Sequence, residues 1–132
     1  MTTFPLKIVT PDGLAFDGPA EKVIVRTTAG DIGILANHTN LVAPIGMGQA
    51  TIVVDGETKY AACMGGMVSV VDGLVTLVPI TFEWGVDIDV ARAAASERRA
   101  REVLDNKTAS EIEVKMAEAR LKRALVRQGV GR

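Results

Sequence analysis

The chain has 132 residues, 48% hydrophobic and 23% charged, with a formal net charge of −1, enough for one ordinary domain or a small domain with an appendage. No apolar stretch approaches the roughly 20 residues that span a bilayer, and the opening MTTFPLKIVT has no charged segment followed by an apolar one, so neither a membrane helix nor a secretory leader is expected. One cysteine, Cys63, and one histidine, His38, exclude an internal disulfide framework and an ordinary zinc site, and the near-neutral balance argues against nucleic-acid binding by the whole chain.

Charge and turn residues divide the chain in two. Residues 1–86 hold 4 Lys and Arg against 8 Asp and Glu, a balance of −4, whereas residues 87–132 hold 11 against 8, a balance of +3. All 5 prolines and 11 of the 13 glycines lie in the first part, where they punctuate turns and would break helices. A β domain over 1–85 followed by a helical domain over 86–132 is therefore expected.

Along the first part, short β-branched runs alternate with turn signals. Leu6–Val9 leads into Thr10-Pro11-Asp12-Gly13, and Lys22–Thr27 alternates, with Val23 and Val25 on one face and Lys22, Ile24 and Arg26 on the other. Ala50–Val54 and Glu57–Tyr60 flank Asp55-Gly56, and Met67–Val71 and Leu74–Val78 flank Asp72-Gly73. Asp-Gly between such runs predicts a type I′ hairpin turn, which needs φ > 0 at both central residues. Eight to ten short strands imply an antiparallel sandwich or flattened barrel, with a strand order that cannot be read.

The second part predicts two helices. Asp87 or Asp89 caps the first, which runs to about Leu104 and ends in Asp105-Asn106-Lys107. Ser110-x-x-Glu113 is a capping box for the second, and Gly129 is expected to stop it. So short a connection makes an antiparallel helical hairpin. Its inner stripe is thin, because Ala93 and Ala100 repeat at heptad spacing, as do Ala117 and Ala124. At about 25 cal/mol per Å² such a seam holds weakly, so the hairpin is expected to be marginal alone and able to detach.

Catalytic motifs are missing. No G-x-x-x-x-G-K-[ST] phosphate loop occurs, Gly46-Met47-Gly48 and Gly65-Gly66 read as turn and strand glycines, His38 sits in the polar loop Ala36–Asn40, and Cys63 in an apolar run reads as a small buried hydrophobe. No enzyme is expected. In an antiparallel hairpin, however, Arg123 and Arg127 come beside Arg92 and Asp89, with Arg99 two turns along the first helix and Glu83 close in sequence. Guanidinium groups crowded together repel unless an anion lies between them, and their planar forks suit phosphate. The competing reading is a solvated basic face with Glu–Arg pairs. A free-standing nucleotide-sensing or nucleic-acid-binding module is a further alternative, weakened by the interleaved acids and by Tyr60 and Trp84 lying outside the helices.

The chain resembles the epsilon subunit of bacterial F-type ATP synthase over essentially its whole length. The resemblance rests on Val9-Thr10-Pro11-Asp12-Gly13, on Gly30-Asp31-Ile32-Gly33-Ile34-Leu35 with Asn37-His38, on Leu41-Val42-Ala43-Pro44, on Gly65-Gly66 and on Asp87-Ile88-Asp89-Val90, in that order. It implies a β-sandwich and helical hairpin in a non-catalytic central-stalk subunit. The implied partners are the gamma subunit, the c-subunit ring and, through an extended hairpin that restrains ATP hydrolysis, the alpha/beta catalytic head. The implied location is the cytoplasmic face of the cell membrane, held peripherally by the complex. Ile88-Asp89-Val90-Ala91-Arg92-Ala93 matches an Ile-Asp-x-x-Arg-Ala motif that in some members binds ATP. The resemblance thus implies a regulatory ATP site of Glu83, Ile88, Asp89, Arg92, Arg99, Arg123 and Arg127, with the part of magnesium left open.

Overall fold

The computed structural model describes residues 2–131. Ten strands form the first part, from β1 (Phe4–Thr10), β2 (Gly13–Ala20), β3 (Lys22–Thr27), β4 (Gly30–Ile34) and β5 (Leu41–Pro44) to β6 (Met47–Val54), β7 (Glu57–Met64), β8 (Met67–Val71), β9 (Leu74–Val78) and β10 (Thr81–Trp84). They make two five-stranded sheets, ordered β2-β1-β9-β8-β5 and β10-β7-β6-β3-β4. This is the expected sandwich. One pairing departs from an all-antiparallel arrangement: β1 and β9 run parallel, Leu6 opposite Val75 and Ile8 opposite Leu77. That pairing joins the first hairpin to a strand more than 60 residues later, beyond what local turn chemistry can specify.

Period-2 alternation explains the core. Phe4, Leu6 and Ile8 of β1, Val23 and Val25 of β3, Ala50 and Ile52 of β6, Ala61 and Cys63 of β7, Val68 and Val70 of β8 and Val75 and Leu77 of β9 all turn inward and are buried. Lys22 and Arg26 point out on either side of the buried Val23 and Val25 of β3, as the pattern predicts. Both Asp-Gly turns have the required backbone, with Asp55 and Gly56 at φ 52° and 73° and Asp72 and Gly73 at φ 48° and 85°. The first of these is fastened from a distance: Glu21 N–H donates to Val53 O at 2.8 Å, and Glu21 Oε1 accepts Gly56 N–H at 2.8 Å. Edge strand β10 stacks Phe82 edge-on to Trp84 at 5.0 Å, with Lys59 Nζ 5.8 Å from the Trp84 ring centre.

After Trp84 the chain forms a second compact unit. A 3₁₀ turn, Gly85–Asp87, precedes α1 (Val90–Asp105) and α2 (Glu111–Val130). The capping box forms in full, Ser110 Oγ accepting Glu113 N–H at 3.1 Å and Glu113 Oε1 accepting Ser110 N–H at 3.2 Å. Ala93 and Ala100 of α1 and Ala117, Ala124 and Val130 of α2 are the buried residues of the two helices, so the seam is as thin as the spacing suggests. The expected stop at Gly129 is corrected: α2 continues through it to Val130, and Gly131 is the cap, its N–H bonded to Arg127 O at 2.9 Å. Exposed Gly129 takes helical backbone at a cost of about 1 kcal/mol relative to alanine. Gly131 is where a side chain has no room, since a Cβ there would lie 2.8 Å from Val90 Cγ2.

Candidate functional site

The Ile88–Ala93 segment has a structural logic of its own. Asp87 ends the 3₁₀ turn, leaving Asp89 as the N-cap of α1, with extended backbone (φ −81°, ψ 95°). Asp89 Oδ1 accepts the backbone N–H of Arg92 at 3.0 Å, satisfying one of the donors that a helix start leaves open and placing negative charge at the positive end of the helix dipole. Ile88, one residue before the cap, is buried. Its Cγ2 would stand 3.1 Å from a Cβ at Gly131. The start of α1 and the end of α2 therefore meet at the open end of the hairpin.

The arginines occupy different depths. Arg92 is exposed in the first turn of α1, and Arg99 is exposed two turns further on. Arg123 and Arg127 are half-buried on α2. Since Arg127 O holds the Gly131 N–H, its turn belongs to the same end as Ile88, Asp89 and Arg92, and Arg123 lies one turn back. Arg92, Arg99 and Arg123 have no carboxylate within ion-pair distance among the described residues. Glu83 is half-buried on β10, in the β unit.

Two further polar features lie on the helices, one of them with no signal in the sequence. Gln128 Nε2 donates to Glu97 Oε1 at 2.8 Å across the two helices, while Glu97 Oε2 accepts Arg101 Nε at 2.7 Å. The Gln128 hydrogen bond first, then that of Arg101, holds the Glu97 carboxyl below the ordinary carboxylate range. Glu97 and Arg101 stand at helical i,i+4 spacing that could have been noticed, whereas the reach of Gln128 depends on how the helices cross.

Elsewhere the motif candidates are structural. His38 Nδ1 donates to Thr39 O at 2.7 Å in the loop after β4. Cys63 is buried among apolar neighbours, which pushes its thiol up to about 12, the opposite of an activated nucleophile. Among the described residues no three His, Cys, Asp or Glu side chains are grouped to hold a metal.

Comparison with known proteins gives this geometry a family. The family model for the ATP synthase delta/epsilon chain, beta-sandwich domain, matches residues 3–85, and that for the long alpha-helix domain matches residues 87–128. The chain belongs to the ATP synthase delta/epsilon family. It is 41% identical over 131 residues to the ATP synthase epsilon chain of Ruminococcus albus, covering 98% of this chain and 97% of that one. It is 40% identical over 132 residues to that of Bacillus licheniformis, covering both in full.

Solved structures share the fold at much lower identity. A chain of the Euglena gracilis mitochondrial ATP synthase structure (OSCP/F1/c-ring, rotational state 1) matches with a TM-score of 0.86 at 20% identity, over 98% of this chain and 81% of that one. One from the central stalk and c-ring of the Tetrahymena thermophila mitochondrial ATP synthase matches at 0.61 and 13% identity, over 97% and 96%. No described helix is long and apolar enough to cross a membrane.

Proposed function

We propose that this family member is the non-catalytic epsilon-type subunit of the central stalk in a proton-translocating F-type ATP synthase. Its β unit joins the rotor, and its hairpin senses ATP and restrains hydrolysis. The observation that carries the stalk assignment is end-to-end identity of about 40% with bacterial ATP synthase epsilon chains. The expected place of action is the cytoplasmic face of the membrane, where the complex holds the subunit peripherally. The rotor partners are the gamma subunit and the c-ring. Met67 and Val71 of β8, Leu74 and Val78 of β9 and Val42 of β5 lie exposed on the outer side of one sheet, with Met67 opposite Val78 and Val71 opposite Leu74. The Ser69–Thr76 pair lies between these two apolar pairs, and a largely apolar face of this kind suits a partner protein.

The regulatory ligand follows from the hairpin chemistry. Arg92, Arg99 and Arg123 lack carboxylate partners among the described residues and sit with Arg127 on helices joined by an alanine seam, so a triphosphate would supply the countercharge. Asp89 would accept a hydrogen bond from the nucleoside, and Ile88 would contribute apolar contact. A ligand that binds only the closed hairpin stabilises it by RT ln(1 + [L]/Kd), about 2.7 kcal/mol at a hundredfold excess over Kd, which is large against so thin a seam. ATP is bound and not turned over.

Isothermal titration with ATP, with and without magnesium, on wild type and on Arg92→Ala with Arg123→Ala, tests the site. Heats that do not differ between the two proteins remove it. In a reassembled complex, deleting residues 87–132 should raise ATP hydrolysis and leave assembly intact. Unchanged hydrolysis removes the braking role, and failed assembly removes the sandwich as anchor.

A further inference from the structure

Helix ends fray, because their last carbonyls lack partners within the helix and terminal residues have few neighbours. The end of α2 is instead held at two points. Gln128 Nε2 reaches Glu97 Oε1 at 2.8 Å, joining residues 31 apart in sequence, and Arg101 Nε steadies the other Glu97 oxygen at 2.7 Å. Three residues on, Gly131 lies so close to the first turn of α1 that a Cβ would come 2.8 Å from Val90 Cγ2 and 3.1 Å from Ile88 Cγ2. Val90 is β-branched and cannot swing far aside. Apart from Val130, the buried residues of the two helices are alanines, a smooth surface that sets neither register nor closure sharply, and a directional polar contact can specify both.

We propose that the Glu97–Gln128 hydrogen bond, with Gly131 seated against Ile88 and Val90, is a clasp that fixes the free end of α2 to α1 and sets how readily the hairpin opens. Opening then begins at the clasp, since at the opposite end the helices are joined covalently by the short 106–110 connection, which the Ser110–Glu113 capping box and Asn106 Oδ1, accepting Thr108 N–H at 3.0 Å, keep ordered. The clasp is a property of the hairpin alone. It stands or falls without nucleotide.

Hydrogen exchange followed by mass spectrometry on the full, nucleotide-free chain tests it, with the strands of the β unit as internal reference. Gln128→Ala should speed exchange in peptides from residues 120–131 by roughly three- to tenfold. Gln128→Glu, which faces Glu97 with a second carboxylate, should do so at least as strongly. The exchanged pair Glu97→Gln with Gln128→Glu restores a donor opposite a carboxylate and should return exchange toward wild type. Gly131→Val should open the same peptides without touching Glu97. Wild-type exchange in Gln128→Glu overturns the proposal, as does an exchanged pair no slower than Gln128→Glu. The exchanged pair decides the matter even where a single variant loses its helices altogether.

Discussion

The Asp89 carboxylate accepts the backbone N–H of Arg92 at 3.0 Å, so the two charged positions of the Ile-Asp-x-x-Arg motif are coupled through the first turn of α1 before any ligand arrives. Asp89→Ala should therefore lower hairpin stability by about 1 kcal/mol from the lost cap alone. It would weaken ATP binding even if the carboxylate never touched nucleotide. Asp89→Ser separates the two effects, because serine caps a helix nearly as well as aspartate without carrying charge. If Asp89 contacts ATP, Asp89→Ser keeps wild-type exchange in α1 and loses titration heat. Retention of both would make the residue a cap and nothing more.

Acid should loosen the hairpin through Glu97. The Gln128 and Arg101 hydrogen bonds hold its carboxyl below the ordinary value of 4.5, so the closed hairpin favours the ionised form. That stabilisation is fully present above the unfolded value and is lost as pH falls through the lowered folded value. Exchange from the last turns of α2 should accelerate below about pH 4.5, and Glu97→Gln should flatten the dependence over that window. An identical acid profile in Glu97→Gln would place the loss on other carboxylates.

How much of this was legible follows the range over which each interaction acts. The Asp55-Gly56 and Asp72-Gly73 turns, the capping box and the alanine stripes depend on neighbours within one turn or one hairpin, and each appears where its residues predict. Pairing of β1 with β9 could not be read, because many strands of similar alternation compete for Leu6 and Ile8. The error at Gly129 has a related origin. A glycine near a helix end is a stop signal by composition, but which of two glycines ends the helix is set by Val90 and Ile88 standing against position 131. For the site, the antiparallel turn was enough to bring Arg127 to the end that holds Ile88 and Asp89. Gln128 gave no signal at all, since its partner Glu97 is 31 residues away and is met only because the helices cross as they do.

Cys63 offers a clean probe of the sandwich. It is buried on β7 opposite Gly48 and Phe82, and burial lifts its thiol to about 12. Alkylation at neutral pH should therefore wait for opening of the β unit and report its rate. Because the folded value lies above the ordinary 9.0, the contribution of Cys63 to stability is complete below pH 9 and is lost as pH rises through 12. Cys63→Ser should cost about 1–3 kcal/mol through a buried hydroxyl without a partner, and Cys63→Ala less than that. Rapid labelling of the native protein would contradict the burial that this reading requires.

Of the two adjacent glycines between β7 and β8, only one is predicted to be irreplaceable. Gly65 and Gly66 both have positive φ, 72° and 79°. A Cβ on Gly65 would meet the Ile80 side chain at 3.1 Å, and exposed Ile80 can turn away. A Cβ on Gly66 would stand 1.9 Å from Val78 O and 2.9 Å from Pro79 Cα, which are backbone atoms of the strand paired with β8 and of the bend after it. Relief there means separating β8 from β9 at the Met67–Val78 pair. Gly65→Ala should thus cost about 1–2 kcal/mol, near the intrinsic penalty for a left-handed alanine, whereas Gly66→Ala should exceed about 4 kcal/mol or prevent folding. Urea denaturation of the two variants checks the order, and equal midpoints would mean that backbone conformation alone, not the approach to Val78, governs this turn.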